Sequence, residues 1–173
     1  MNVANFFTVL RMLLTVPIVI SLGLGLHTVS FALFVFAIFT DYLDGFFARR
    51  YNQVTDFGKV FDQVADKILI TSVAIAMLGA IPLWYVLVVF IRDSIVNGFR
   101  ILVASRGVVV PAKFSGKLKT VSQMLVIVSA YLSELSILDS LVVVVLVVLS
   151  AIVTVLSGVI YTYQFAKSVR AEG

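Results

Sequence analysis

No cysteine occurs in this chain, so disulfides, haem attachment through thioethers and thiolate metal sites are all excluded. Histidine is almost as scarce. His27 stands alone, which rules out any ligand set that needs two imidazoles, and a resident metal must therefore be held by oxygen. Charge is also sparse, at 13% of residues against 61% hydrophobic ones, and the mean hydropathy is +1.13. A soluble domain carries roughly twice that share of charge, so the composition reads as an all-α integral membrane protein. The formal charge of +4 suits anionic surfaces or anionic substrates. Neither a charged leader region nor a small-residue cleavage site precedes the first apolar run, which is expected to be a retained span.

A membrane-spanning helix needs about 20 apolar residues. Six segments approach or exceed that length: Phe6 to Gly25, Ser30 to Phe47, Phe57 to Leu78, Leu83 to Ala104, Ser115 to Leu135 and Ser140 to Phe165. Basic residues collect in alternate connections, with Arg49 and Arg50 after the second segment, Arg106, Lys113, Lys117 and Lys119 around the fourth, and Lys167 and Arg170 in the tail. By the positive-inside rule both termini are cytoplasmic. Pro17 is expected to bend or split the first span, leaving Met1 to Arg11 along the cytoplasmic surface. Trp84 and Tyr85 are expected to anchor the fourth span at the opposite interface, and the valine-rich run from Val142 to Val148 to face lipid or a partner subunit. The connections are too short to hold a soluble domain, so residues 1–173 read as one membrane-embedded domain with its chemistry inside the bundle.

Against this background four carboxylates are conspicuous. Asp41, Asp44, Gly45 and Ala48 fall at offsets 0, 3, 4 and 7, on one helical face. Gly58, Asp62 and Asp66 follow at four-residue intervals on the next helix. A short polar connection from Arg49 to Asp56 makes the two helices antiparallel neighbours, so the carboxylates are expected to meet near it. Three readings suit such a cluster. Interfacial aspartates can be solvated or paired with Arg49, Arg50, Lys59 and Lys67, and a cation or proton carrier also needs intramembrane carboxylates. Alternatively the four hold hard divalent cations, Mg²⁺, Mn²⁺ or Ca²⁺, and a pair of such ions suits a phosphoryl group in in-line transfer. Gly45, Ala48 and Gly58 clear space beside the carboxylates for helix packing or for a flat ligand, while Arg49 is either a phosphate contact or a topology signal.

Taken together, Asp41, Asp44, Gly45, Ala48, Arg49, Gly58, Asp62 and Asp66 match the whole signature of the CDP-alcohol phosphotransferase family, and the chain resembles that family over most of its length. The resemblance implies a six-helix transmembrane fold, a homodimer, two divalent ions (Mg²⁺ or Mn²⁺), and displacement of CMP from a CDP-linked lipid by an alcohol. It further implies that Asp41, Asp44, Asp62 and Asp66 ligate metal, that Asp66 acts as general base, and that Gly45, Ala48, Arg49 and Gly58 border the cytidine nucleotide. The segments Asn2 to Arg11, Thr55 to Lys59 and Gly116 to Thr120 resemble the bacterial branch that joins CDP-diacylglycerol to glycerol 3-phosphate, although Gln63 and Asp93 depart from its pattern. Serine, inositol phosphate and phosphatidylglycerol are the alternative acceptors. A phosphorylated acceptor needs cations, for which Arg92, Arg100, Lys117, Lys119, Thr8 and Arg11 are the candidates, with Arg11 alternatively snorkelling to the interface. His27 is assigned no function.

Overall fold

The computed structural model describes residues 3–50, 56–104 and 114–170, and the side chains of 7–41, 61–99, 101–102, 116 and 118–165. Six α-helices make up the described chain: α1 Val3–Gly23, α2 His27–Arg50, α3 Asp56–Ala76, α4 Leu83–Ala104, α5 Phe114–Glu134 and α6 Ser140–Arg170. No strand occurs among the described residues. The six predicted segments are all present, with ends moved by a few residues. Among them, only Ser140–Phe165 of α6 is by itself long and apolar enough to cross a membrane; Phe7–Gly23 and His27–Asp41 are shorter apolar stretches.

Two compact units form. The first comprises Met1–Leu78 with Glu134–Ile137, and the second Gly79–Ser133 with Leu138–Gly173. In the first, α1 packs on both α2 and α3. Its buried side is the stripe Thr8, Arg11, Thr15, Ile18 and Leu22, spaced alternately three and four residues, the seam that one helix offers to close neighbours. The facing stripes are Ser30, Phe34 and Ala37 on α2 and Ala65, Leu69 and Val73 on α3. Ser30 reaches across to donate to the Ile18 carbonyl at 3.0 Å. His27 lies 3.7 Å from Glu134 in this unit.

Of the two outcomes expected at Pro17, a bend or a split, the split does not occur: the first helix runs unbroken from Val3 to Gly23. Proline removes one backbone donor, a loss that burial of the α1 stripe against two helices outweighs. The helix ends two residues before Gly25, whose φ is +72°. The Gly25 amide donates to the Leu22 carbonyl at 3.0 Å and the Leu26 amide to the Ser21 carbonyl at 2.8 Å, the paired bonds of a Schellman turn. A Cβ at Gly25 meets nothing within 4 Å, so the constraint there is backbone conformation alone. Gly25→Ala is therefore expected to cost about 1 kcal/mol, whereas Gly23→Ala, equally uncrowded but helical, is expected to cost nothing. Thermal unfolding of the two variants checks this, and equal losses contradict it.

In the second unit α4 packs on α6. The long last helix is buried along one stripe, Val143, Val147, Ser150, Thr154, Ser157, Tyr161 and Phe165, while Val144, Val145, Val148, Leu149 and Ile152 are exposed. Small hydroxyl residues in that stripe let helix backbones approach and supply bonds between helices. Tyr85 departs from its expected interfacial role: it is buried, and its hydroxyl shares a 2.8 Å hydrogen bond with Ser150, which in turn meets Ser122 at 2.9 Å. Trp84 beside it is exposed.

Candidate active site

The buried stripes carry charge as well as apolar side chains, and that places the site. Four residues on from Ala37, the α2 seam continues to Asp41; on α3, Asp62 and Asp66 flank Ala65 at the start of the seam. One carboxylate oxygen from each of Asp41, Asp62 and Asp66 lies within 4.8 Å of the others. The expected pooling of aspartates from two helices thus holds for these three. Asp44, Gly45, Ala48, Arg49 and Gly58 have side chains outside the described residues.

Arg11 stands in the middle of this group. Its side chain has 0% exposure, and its guanidinium contacts Asp41 through Nη2 and both Asp62, at 3.0 Å, and Asp66 through Nη1. The three aspartates are only partly buried, so the cluster opens to one side while Arg11 closes the other. Thr15 donates to the Arg11 carbonyl at 3.0 Å, one turn on in the same seam. Arg11 does not snorkel: it is buried as the cation of the aspartate cluster. Thr8 is buried one turn before it. The signal was present in the sequence, since a spacing of three and four residues puts Arg11 on the same face as Thr8, Thr15, Ile18 and Leu22, and an arginine on a packed face needs carboxylates.

A second charged group lies in the other unit. Asp93 accepts from Arg92 at 3.1 Å and from Lys119 at 2.6 Å, so one carboxylate is shared by two cations. Arg92 also donates to Ser157 at 2.9 Å and lies 5.4 Å from the centre of the Tyr161 ring. Gly158 leaves room for it, because a Cβ there meets Arg92 Cγ at 3.0 Å. Sequence reasoning singled out Arg92 and Lys119 but not the roles of Asp93, Ser157 and Tyr161, although Asp93 sits inside an apolar helix where it requires a cation. Arg100 and Lys117 have side chains outside the described residues.

The donor set fits hard divalent ions. It consists wholly of carboxylate oxygen, and three ionised aspartates against one guanidinium leave two negative charges for a metal to neutralise.

Comparison with known proteins identifies the family. A family model for CDP-alcohol phosphatidyltransferases matches residues 1–163. A probable phosphatidylglycerophosphate synthase of Mycobacterium tuberculosis is 35% identical over 176 residues, covering 97% of this chain and 83% of the relative. The CDP-diacylglycerol–glycerol-3-phosphate 3-phosphatidyltransferase of Rickettsia typhi is 38% identical over 132 residues, covering 71% of this chain and 72% of the relative. The Bacillus subtilis enzyme of that name is 38% identical over 111 residues, covering 63% and 58%.

Proposed function

The chain belongs to the CDP-alcohol phosphatidyltransferase family, and from that membership we propose that it transfers the phosphatidyl group of CDP-diacylglycerol to glycerol 3-phosphate, giving phosphatidylglycerol phosphate and CMP. The observation that carries this reading is the convergence of Asp41, Asp62 and Asp66 from two helices. Asp41, Asp44, Asp62 and Asp66 would hold two divalent ions, Mg²⁺ or Mn²⁺, whose positive charge lowers the cost of gathering negative phosphate oxygens.

The chain's own groups do the rest. Asp66 accepts the proton of the acceptor hydroxyl as its oxygen attacks the phosphorus that carries diacylglycerol. A new oxygen–phosphorus bond forms there, the bond to the bridging oxygen breaks, and CMP leaves with that electron pair. Gly45, Ala48 and Gly58 admit the cytidine nucleotide close to the backbone, and Arg49 offers its phosphates a forked donor. Arg92 and Lys119, already gathered on Asp93, hold the acceptor's phosphate together with Arg100 and Lys117. Arg11 serves the aspartates instead.

All six helices cross the cell membrane in this reading, with both termini and the active site on the cytoplasmic side, and residues 1–173 act as one catalytic domain in a homodimer. Helices of 21 to 31 residues are about 31 to 46 Å long, enough to span. The exposed faces of α1, α4 and α6 are lined with leucine, isoleucine and valine, which suits lipid contact. Purified protein given CDP-diacylglycerol is expected to form lipid product with glycerol 3-phosphate but not with serine, inositol phosphate or phosphatidylglycerol. Product from one of those three alone removes the acceptor assignment and leaves the aspartate chemistry in place.

A further inference from the structure

We infer that Arg11 is a resident counter-ion that competes with divalent metal for the aspartate oxygens, so that it sets the metal affinity of the site. The inference rests on the metal reading proposed above. Three features of Arg11 carry it.

First, its position is built rather than incidental. Arg11 lies in the buried seam of α1 with Thr8, Thr15, Ile18 and Leu22, and its side chain has no exposed surface. A buried guanidinium persists only where carboxylates compensate its lost hydration, and Asp41, Asp62 and Asp66 do so from two other helices.

Second, it engages the same three carboxylates that a metal would use. One oxygen each of Asp41, Asp62 and Asp66 falls within 4.8 Å of the others, and a hard cation binds oxygens at about 2.0 to 2.6 Å. Two oxygens on one ion are therefore at most about 5 Å apart, the same span that Arg11 Nη1 and Nη2 bridge. A guanidinium and a divalent ion cannot share that space without strong repulsion. Metal entry must loosen at least one Arg11 contact.

Third, the charges are matched for exchange. With Arg11 in place the three aspartates keep part of their negative charge, so the cluster still draws a divalent cation. Without any resident cation the three carboxylates would repel one another at close range. Arg11 thus keeps α1, α2 and α3 together before metal arrives, and weakens metal binding in return, because the two equilibria are linked.

The test is Mn²⁺ binding, read from the electron paramagnetic resonance signal of free Mn²⁺, on detergent-solubilised parent, Arg11→Met, Arg11→Lys and Asp62→Asn proteins. Thermal unfolding in EDTA and in Mn²⁺ accompanies it. Arg11→Met is expected to bind Mn²⁺ at least about tenfold more tightly than the parent, a shift of about 1.4 kcal/mol. It is also expected to unfold at a lower temperature in EDTA and to gain more from Mn²⁺ than the parent does. Unchanged or weaker Mn²⁺ affinity in Arg11→Met overturns the competition. Should that variant not fold, Arg11→Lys decides: a point charge that lacks the guanidinium fork is expected to give binding a few-fold tighter than the parent, and equal affinity overturns the inference. A parent that binds Mn²⁺ no better than Asp62→Asn overturns the metal reading itself, a result distinct from the loss of competition.

Discussion

Asp66→Asn is expected to lower CMP formation by about a thousandfold or more, within the range by which a positioned general base accelerates a reaction, while the helices remain intact. The carboxamide keeps the volume of the side chain, and its carbonyl oxygen can still accept from Arg11 as the carboxylate does. It cannot take a proton from an alcohol. Asp62 and Asp41 remain to pair Arg11, so no buried cation is left uncompensated. The loss should therefore appear in turnover and not in the unfolding temperature. Near-normal turnover in a folded Asp66→Asn protein removes the base assignment.

Asp41→Asn has the second largest expected effect, and of a different kind. Asp41 is the α2 member of a cluster whose other described carboxylates belong to α3, so its loss leaves metal to be held mainly from one helix. Half-saturation by Mg²⁺ or Mn²⁺ is expected to need at least about tenfold more metal, equivalent to about 1.4 kcal/mol, and turnover at the parent's optimal metal concentration to fall in proportion. Excess metal should recover part of the activity of Asp41→Asn and none of that of Asp66→Asn. A metal titration of CMP release separates the two, and an unshifted titration for Asp41→Asn counts against its being a ligand.

Much of this site was legible in the sequence because helical periodicity turns spacing into direction. Asp41, Asp62 and Asp66 stand at intervals that commit them to one face of each helix, and the long apolar runs around them demand a reason for their charge. What spacing does not specify is the partner. Arg11, near the start of its helix, looks like an interfacial cation until its register with Ile18 and Leu22 is followed, and only packing of α1 on both α2 and α3 reveals that it meets three carboxylates. Asp93 illustrates the same limit: Arg92 and Lys119 read as phosphate contacts, but their common carboxylate joins residues far apart in the chain.

Local rules failed where tertiary packing outweighs them. Pro17 is a strong breaker in isolation, yet α1 continues through it because its buried stripe extends on both sides. Tyr85 has the composition of an interfacial anchor, but its hydroxyl finds Ser150 on α6 and the ring turns inward. Within the valine run of α6, Val143 and Val147 are buried while Val144, Val145 and Val148 are exposed, a division that uniform hydropathy conceals and a four-residue interval discloses.

The measurement that bears most directly on the aspartate cluster as a metal-dependent phosphatidyl-transfer site is CMP release from CDP-diacylglycerol by the purified protein, followed with and without glycerol 3-phosphate as Mg²⁺ or Mn²⁺ is removed by EDTA and restored. CMP is expected only when acceptor and metal are both present, and the rate should return when metal is added back. Release that persists in excess EDTA, or no release with active lipid, acceptor and metal together, contradicts the account.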